Sequence, residues 1–222
     1  MKKLLFSLLI LVSTRTFSQD CNAYHLFTNN ASMEMTITDK KGEPTGTVQY
    51  KVLSVSGGES KVATTNFDKK GKEIVKGEGI YRCVNGAFSV DMKAMMPAEQ
   101  QSGFKNMSMK LSDSYISYPN KMSVGETLPE NELTGEAFID NMRIMGINLK
   151  ISNRKVEAKE SITTPAGTWE CYKITSTVFM KTVMSFTVDS IEWFAPNVGI
   201  VKTESYRKGS LMGGTMITKL QK

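Results

Sequence analysis

The residue types that most often carry catalysis are scarce in this chain. Its 222 residues include one histidine, His25, which lies near the N-terminus. A metal centre needs several ligands in register, and a Ser-His-Asp or Cys-His arrangement would have to use this histidine. The sequence also has no Gly-x-Ser-x-Gly motif and no phosphate-loop spacing. We therefore predict a structural or merely exposed His25 and a protein that is not an enzyme and uses no cofactor.

Paired carboxylates could perform acid–base chemistry without a histidine. Asp189 and Glu192 are close in sequence, and Glu170 could face a neighbouring strand. Acidic residues on half-buried strands are more often solvated, outward-facing positions. We therefore interpret these three residues as surface positions and assign no catalytic residue.

Methionine is unusually frequent, with 15 residues in the chain. Its flexible, polarizable side chain suits adaptable apolar surfaces, which favours a ligand groove on the concave side of a sheet. The commoner alternative is that the methionines simply fill the core. A copper site is disfavoured because no Cys or His is clustered beside them. The groove candidates are four methionines at strand spacing, one methionine near a predicted strand, and the two tryptophans. They are Met33, Met35, Met107, Met109, Met184, Trp169 and Trp193.

The N-terminus has the layout of a secretory signal peptide. Lys2 and Lys3 precede an apolar run over residues 4–12, and a polar stretch ends at Gln19. The run is much shorter than the ~20 residues of a membrane-spanning helix. We predict a signal peptide over 1–19, a single domain over 20–222, and export to the periplasm or the extracellular space. The mature protein is expected to be soluble rather than lipid-anchored, because Asp20 precedes Cys21 where a lipidated cysteine normally follows a small residue.

The three cysteines are permitted to pair in an exported protein. We predict a Cys21–Cys83 disulfide, with Cys171 as a buried free thiol. The bond would staple an N-terminal segment that is otherwise loosely held. Three free thiols remain the alternative, because connectivity cannot be deduced from sequence.

Half of the chain's formal charge of +6 comes from the predicted signal peptide. Removing its three basic residues from the total of 28 leaves 25 against 22 acidic residues. These are spread along the chain, whereas a nucleic-acid footprint needs clustered Lys and Arg. We therefore exclude nucleic acid as a partner.

Alternating side chains separated by tight turns predict an all-β fold. Asp39-Lys40-Lys41-Gly42 is a type I turn signature, and residues 68–71 repeat it. We predict strands over 31–38, 47–55, 61–67, 80–84, 87–92, 107–111, 115–118, 169–178, 184–194, 199–206 and 211–220, with two more inside 144–163. Residues 119–133 are predicted to be a loop, and residues 97–104 a short capping helix.

A change of apolar phase between Val188 and Ile191 predicts a β-bulge, which would bend the sheet. A long bent meander must hide its edges. The fold class is therefore all-β with minor α: a curved antiparallel sheet forming a half-barrel or open barrel with one capping helix.

The order of several short motifs resembles that of TapB-like exported bacterial proteins. The motifs are Ser32-Met33-Glu34-Met35 with the turn after it, Tyr118-Pro119, Thr164-Pro165-Ala166-Gly167-Thr168-Trp169 and Glu192-Trp193-Phe194-Ala195-Pro196. The resemblance implies an envelope protein whose curved sheet is similar to the half-barrels of lipoprotein carriers. It implies no settled activity.

Two functions follow from these expectations. The first is a binding module that encloses a hydrophobic small molecule or lipid, because open barrels leave interior space to be filled. The second is a structural or assembly protein of the envelope that acts through its surface on another envelope protein.

Overall fold

The computed structural model describes residues 23–84, 86–95 and 107–222, with backbone alone for residues 94 and 95. In these residues the chain is almost entirely β-structure. Two short 3-10 helices span His25–Phe27 and Met92–Met95. The strands are β1 Ser32–Asp39, β2 Pro44–Ser56, β3 Glu59–Asp68, β4 Glu73–Val84, β5 Ala87–Asp91, β6 Ser108–Leu111, β7 Tyr115–Tyr118, β8 Asn131–Ile139, β9 Met142–Thr164, β10 Gly167–Lys181, β11 Ser185–Ala195, β12 Gly199–Arg207 and β13 Ser210–Gln221.

All thirteen strands belong to one antiparallel sheet, in the order β6-β8-β9-β10-β11-β12-β13-β1-β2-β3-β4-β5-β7. Most neighbours are consecutive in the chain, so the sheet is a meander. The backbone ladder does not close, and β6 and β7 are its two ends. The sheet nevertheless curls over, since the terminal strand β7 packs against β11, an inner strand of the sheet: the Tyr118 and Phe194 rings stack at 4.6 Å. The predicted curved, open sheet is confirmed.

The predicted turns are confirmed in detail at Asp39. Its carboxylate accepts hydrogen bonds from the backbone N–H groups of Lys41, at 2.8 Å, and Glu43, at 3.0 Å. Gly42 closes the turn with φ of 82°, which an L side chain rarely adopts. Asp68 makes the equivalent bonds in the second copy of the motif, so local side-chain chemistry fixes both hairpins.

Two boundaries predicted from sequence are wrong. The two strands expected within residues 144–163 are one 23-residue strand, β9. Strand β8 was not predicted, and it begins inside the expected 119–133 loop. Both errors have one cause: β9 bends at bulges without ending, and its extra length pairs with β8.

The predicted bulge in β11 exists, but at a different residue. The register against β12 shifts between Trp193 and Phe194 rather than between Val188 and Ile191. The pairing of β11 with β10 is continuous through that earlier region. Four successive buried residues at the end of β11 account for the difference, because both faces of the strand are covered there.

The segment before β1 is held firmly. Tyr24, Leu26 and Phe27 are all buried in the core, and the His25 backbone N–H donates to the carbonyl of Asn197 at 2.9 Å. The expectation of a loosely held segment does not apply from Tyr24 onward. Its aromatic side chains enter the interior of the curved sheet, and so fasten the start of the domain by burial.

Three predictions fall outside the described residues: the signal peptide, the capping helix over 97–104 and the position of Cys21. Cys171 is a buried free cysteine, as predicted. The Cys21–Cys83 disulfide stays a prediction. Within the described ranges, no helix has the length and apolarity needed to cross a membrane.

Candidate functional site

A bulge in β9 turns one arginine into the core. Ile147, Leu149 and Ile151 are buried at alternate positions, and then the buried phase moves to Arg154 and Val156. Asn153 lies between the two phases with φ of 53°, and the pairing with β10 skips at this point. Because a bulge re-aims the side chains that follow it, Arg154 points inward, where it is only 1% exposed.

Arg154 fastens the free edge of the sheet. Its Nη1 donates to the carbonyl oxygens of Ser117 in β7 and of Pro129, both at 3.1 Å. Nearby, the Asn131 side chain donates to the Tyr115 carbonyl at 2.7 Å. The two ends of the sheet are therefore joined at β7 by side chains instead of a backbone ladder. We call this junction of β7 with Pro129, Asn131 and Arg154 the seam.

Half of the Arg154 guanidinium has no partner. Its Nε and Nη2 are buried and make no hydrogen bond to any described residue. Buried polar groups are nearly always hydrogen-bonded, and a buried charge without a partner is costly. The side of the guanidinium formed by Nε and Nη2, which we call the arginine edge, is therefore a chemically unusual feature of the interior.

A tyrosine and a glutamate lie beside this arginine. The Tyr118 hydroxyl donates to Glu192 Oε2 at 2.8 Å, and both residues are buried. The Tyr118 ring also lies under the Arg154 guanidinium, 5.0 Å from its central carbon. These three residues, from β7, β9 and β11, form what we call the buried polar cluster.

Burial dominates the electrostatics of this cluster. Desolvation raises the pKa of Glu192, and the Arg154 charge and the Tyr118 hydrogen bond offset only part of that rise. Burial, together with the neighbouring Glu192 charge, holds the pKa of Tyr118 well above its usual value. Glu192 and Arg154 form no ion pair within the described structure, so each remains incompletely compensated.

An aromatic cluster surrounds the polar one. Phe88 lies at its centre and contacts five other rings, with centroid separations from 4.8 Å to 6.3 Å. The members of this aromatic cluster are Tyr24, Phe27, Tyr81, Phe88, Tyr118 and Phe194. Tyr118 belongs to both clusters, so a continuous aromatic surface leads up to the buried charges.

The predicted groove residues do not form one group. Met33, Met35 and Trp193 are buried in the core, and Met107 and Trp169 are partly buried against it. The other two candidates face solvent: Met109 is exposed on β6, and Met184 is 80% exposed in the β10–β11 hairpin.

Trp193 also lies outside the buried polar cluster, although it follows Glu192 directly. Its Nε1 donates to Glu160 Oε1 at 2.5 Å, and the Lys202 ammonium lies 4.5 Å from its ring centroid. These polar contacts give Trp193 a well-satisfied position of its own. These contacts of Trp193 therefore leave Nε and Nη2 of Arg154 without a partner.

The acid–base candidates are separated by burial. Asp189 and Glu170 are exposed, whereas Glu192 is buried. The prediction that all three are surface positions is thus wrong for Glu192.

His25 is buried, and its Nε2 donates to the Ser32 carbonyl at 2.8 Å, which is a structural role. Across the described ranges, no three His, Cys, Asp or Glu residues are grouped so that they could hold a metal ion.

Sequence reasoning missed Arg154 and Tyr118 as site residues. A signal for Arg154 is present: the apolar phase changes between Ile151 and Val156, with Asn153, a residue that tolerates positive φ, between them. That pattern predicts a bulge and an inward residue 154. No local signal marks Tyr118, because its partner Glu192 is 74 residues away in the chain.

Comparisons with known proteins agree with this architecture. A model of the DUF3108-like family matches residues 28–217. A search of the curated proteins found no match. A crystal structure from Bacteroides fragilis, provisionally described as an exported protein with a YmcC-like fold, is 22% identical with a TM-score of 0.73 and covers 88% of this chain and 97% of its own.

A second crystal structure is provisionally described as a lipoprotein from Parabacteroides distasonis. It is 26% identical with a TM-score of 0.75, and covers 91% of this chain and 100% of its own. The resemblance to exported bacterial proteins is thus supported at the level of fold and family. The narrower TapB-like assignment is not confirmed by these matches.

Proposed function

Because the chain belongs to the DUF3108-like family, whose fold it shares with proteins described as exported or as lipoproteins, we propose that it is a non-catalytic envelope protein that binds a hydrophobic or lipid-like ligand. The ligand lies against the inner face of the curved sheet. The observation that carries this proposal is the aromatic cluster inside a sheet whose backbone ladder stays open beside Arg154.

The open ladder favours binding over a purely structural role. A closed barrel has no edge that can part, whereas here β7 meets the opposite strands through side chains: the hydrogen bonds of Arg154 and Asn131 and the stacking of Tyr118 on Phe194. This contact can open without breaking the hydrogen bonds between paired strands. An apolar molecule entering there meets the rings of Tyr118 and Phe194.

The absence of catalysis is part of the proposal. Glu192 is the one buried residue of the three carboxylate candidates, so they cannot act as a pair across a bound substrate. His25 is committed to a backbone carbonyl. Arg154 and Tyr118, which are buried beside Glu192, are suited to holding a ligand.

Export and a soluble mature form complete the proposal. The leader favours export, and the two similar structures are described in terms that fit an envelope location. A cysteine that carries a lipid cannot also form a disulfide. The predicted Cys21–Cys83 bond and a lipid anchor at Cys21 are therefore mutually exclusive.

Ligand binding is tested by native mass spectrometry of the exported protein, followed by titration of the delipidated protein with the apolar fluorophore N-phenyl-1-naphthylamine. We expect a co-purifying lipid and saturable fluorophore binding. Phe194→Leu removes a ring from the interior, and should weaken binding severalfold. Phe138→Leu, which removes a ring that contacts Lys110 instead, should not. Absence of both lipid and saturable binding would refute the proposal.

A second function is favoured by exposed apolar side chains at two neighbouring hairpins. Met142 is 70% exposed at the β8–β9 hairpin, and Val183 and Met184 are 79% and 80% exposed at the β10–β11 hairpin. Such patches often mark protein contacts. An envelope assembly role predicts a discrete photo-crosslinked adduct in intact cells from a probe at Met184, and none from a probe at exposed Lys40.

A further inference from the structure

Arg154 presents a vacant binding edge of defined shape. A guanidinium has five N–H donors, and Nε and Nη2 together carry two parallel N–H bonds on one edge. This edge matches the two oxygens of one carboxylate or phosphate group. In this chain both nitrogens of the edge are buried and unpartnered, while Nη1 is occupied by carbonyls of the seam.

The charge balance around Arg154 also favours an anion. The oxygens bonded to Nη1 belong to neutral groups: the carbonyls of Ser117 and Pro129, and the side-chain amide of Asn131. Glu192 Oε2 accepts from Tyr118, and the Glu192 carboxyl interacts with the arginine charge only through space, without a direct ion pair among the described residues. Burying a cation without an anionic partner is strongly unfavourable. A ligand anion at this edge would remove that penalty.

The surroundings define the rest of the ligand. The Tyr118 ring lies directly beside the guanidinium, and Phe194 stacks on that ring. From there the aromatic cluster continues through Phe88 to Tyr24. A charged edge at one end of an apolar surface is complementary to an amphiphile with an acidic head and an apolar tail.

We propose that the Nε and Nη2 edge of Arg154 binds the acidic headgroup, a carboxylate or a phosphate, of an apolar-tailed ligand. This inference rests on the proposed function, since it assigns the headgroup of the ligand held inside the sheet. Arg154 orients the ligand with its head at the seam and its tail along the aromatic cluster.

The test uses the full mature protein and three probes with the same tail: dodecanoate, dodecyl phosphate and dodecanol, each below its aggregation concentration. Affinities are measured by displacement of N-phenyl-1-naphthylamine. We expect at least one acidic probe to bind about tenfold or more tightly than dodecanol, because two charge-assisted hydrogen bonds form only with the acid. The better acid identifies carboxylate or phosphate as the headgroup.

Arg154→Lys retains the charge and removes the two-nitrogen edge, and Arg154→Met removes both. The preference for the acid should fall towards unity in Arg154→Met and fall only partly in Arg154→Lys, while dodecanol still binds to both variants. Lys155→Met is the matched control, because that neighbouring cation is exposed and should leave the preference unchanged. Circular dichroism verifies that each variant is folded.

If the variants fail to fold, the wild-type protein still decides the matter. The Nε resonance of Arg154 should shift with the acidic probe and stay in place with dodecanol. Equal affinities for all three probes, or an unmoved Nε resonance with bound acid, would overturn the headgroup assignment and leave the proposed function intact. Failure of every probe to bind would instead overturn the proposed function itself.

Discussion

At the scale of single residues, the buried polar cluster sets this interior apart from an ordinary β-core. Tyr118, Arg154 and Glu192 are buried together, and their hydrogen bonds leave two arginine nitrogens unsatisfied. A buried polar network that is only partly satisfied costs stability, because its unpaired groups have lost their hydrogen bonds to water. The cluster therefore fits a role in binding better than a role in holding the fold together.

The Tyr118 hydroxyl is expected to stabilise the protein through Glu192. Tyr118→Phe removes the hydroxyl that donates a hydrogen bond to Glu192 Oε2. It should lower the free energy of unfolding by about 1–3 kcal/mol, measured by urea denaturation. Tyr115→Phe in the same strand is the control, because its hydroxyl makes no hydrogen bond within the described ranges; its change should stay within about 0.5 kcal/mol. Equal losses in the two variants would contradict this role.

The Glu192 carboxyl should make stability depend on pH. Burial raises its pKa in the folded state, so the folded protein holds the proton more tightly than the unfolded chain does. Its contribution to stability is complete below the ordinary glutamate pKa, and is lost as the pH rises through the raised value. Glu192→Gln lacks this loss. The stability of Glu192→Gln relative to wild type should therefore increase between about pH 4 and pH 8, and parallel curves would contradict the assignment.

At the scale of elements, the bend in β9 decides what faces the interior. Asn153 adopts φ of 53°, and the buried positions change parity across it. Without this bulge, Arg154 would point to the opposite face of the sheet. The same bend lets β9 run on unbroken and pair with both β8 and β10.

The conformation of Asn153 gives a direct test of this bulge. Asn153→Gly should be tolerated, because glycine adopts positive φ without strain. Asn153→Val should cost about 1–2 kcal/mol of unfolding free energy, since a β-branched residue is strained there. Ser152→Val, at a neighbouring position without positive φ, is the control. Urea midpoints of the three variants measure the difference, and a tolerated Asn153→Val would argue against the bulge.

At the scale of the whole molecule, the curved sheet encloses the core, which is filled by side chains of its own strands and of the N-terminal segment. Its curl brings β7 against β11, and the N-terminal Tyr24 then stacks on Phe88 at 4.8 Å. The residues from Tyr24 to Phe27, which precede β1, are thus part of the core. A covalent link near its start would fasten it further and constrain the unfolded chain.

Thiol counting tests the predicted covalent link. The mature protein, unfolded in guanidinium without reductant, should present one reactive thiol, that of Cys171, if Cys21 and Cys83 are paired. Cys171→Ser should then present none, and Cys83→Ser should present two. Loss of the bond could remove up to about 4 kcal/mol of stability in the chain-entropy model. Three reactive thiols in the wild-type protein would refute the disulfide.

The sequence by itself determined the local structure of this protein. Alternating apolar residues and turn residues such as Asp39 and Gly42 act over a few neighbours, so the all-β class, most strands and the type I turns can be predicted from the chain alone. The curved open sheet also follows, because a long meander must hide its edges.

Only the tertiary structure decided which polar residues meet inside. Tyr118 and Glu192 are distant in sequence and become partners through the curl of the sheet, while Arg154 joins them through a bulge whose effect depends on the pairing of β9 with β10. The groove predicted from methionine spacing was divided between buried and exposed positions for the same reason. Residue spacing records which face of a strand a side chain occupies, but contacts between distant strands depend on how the whole sheet bends.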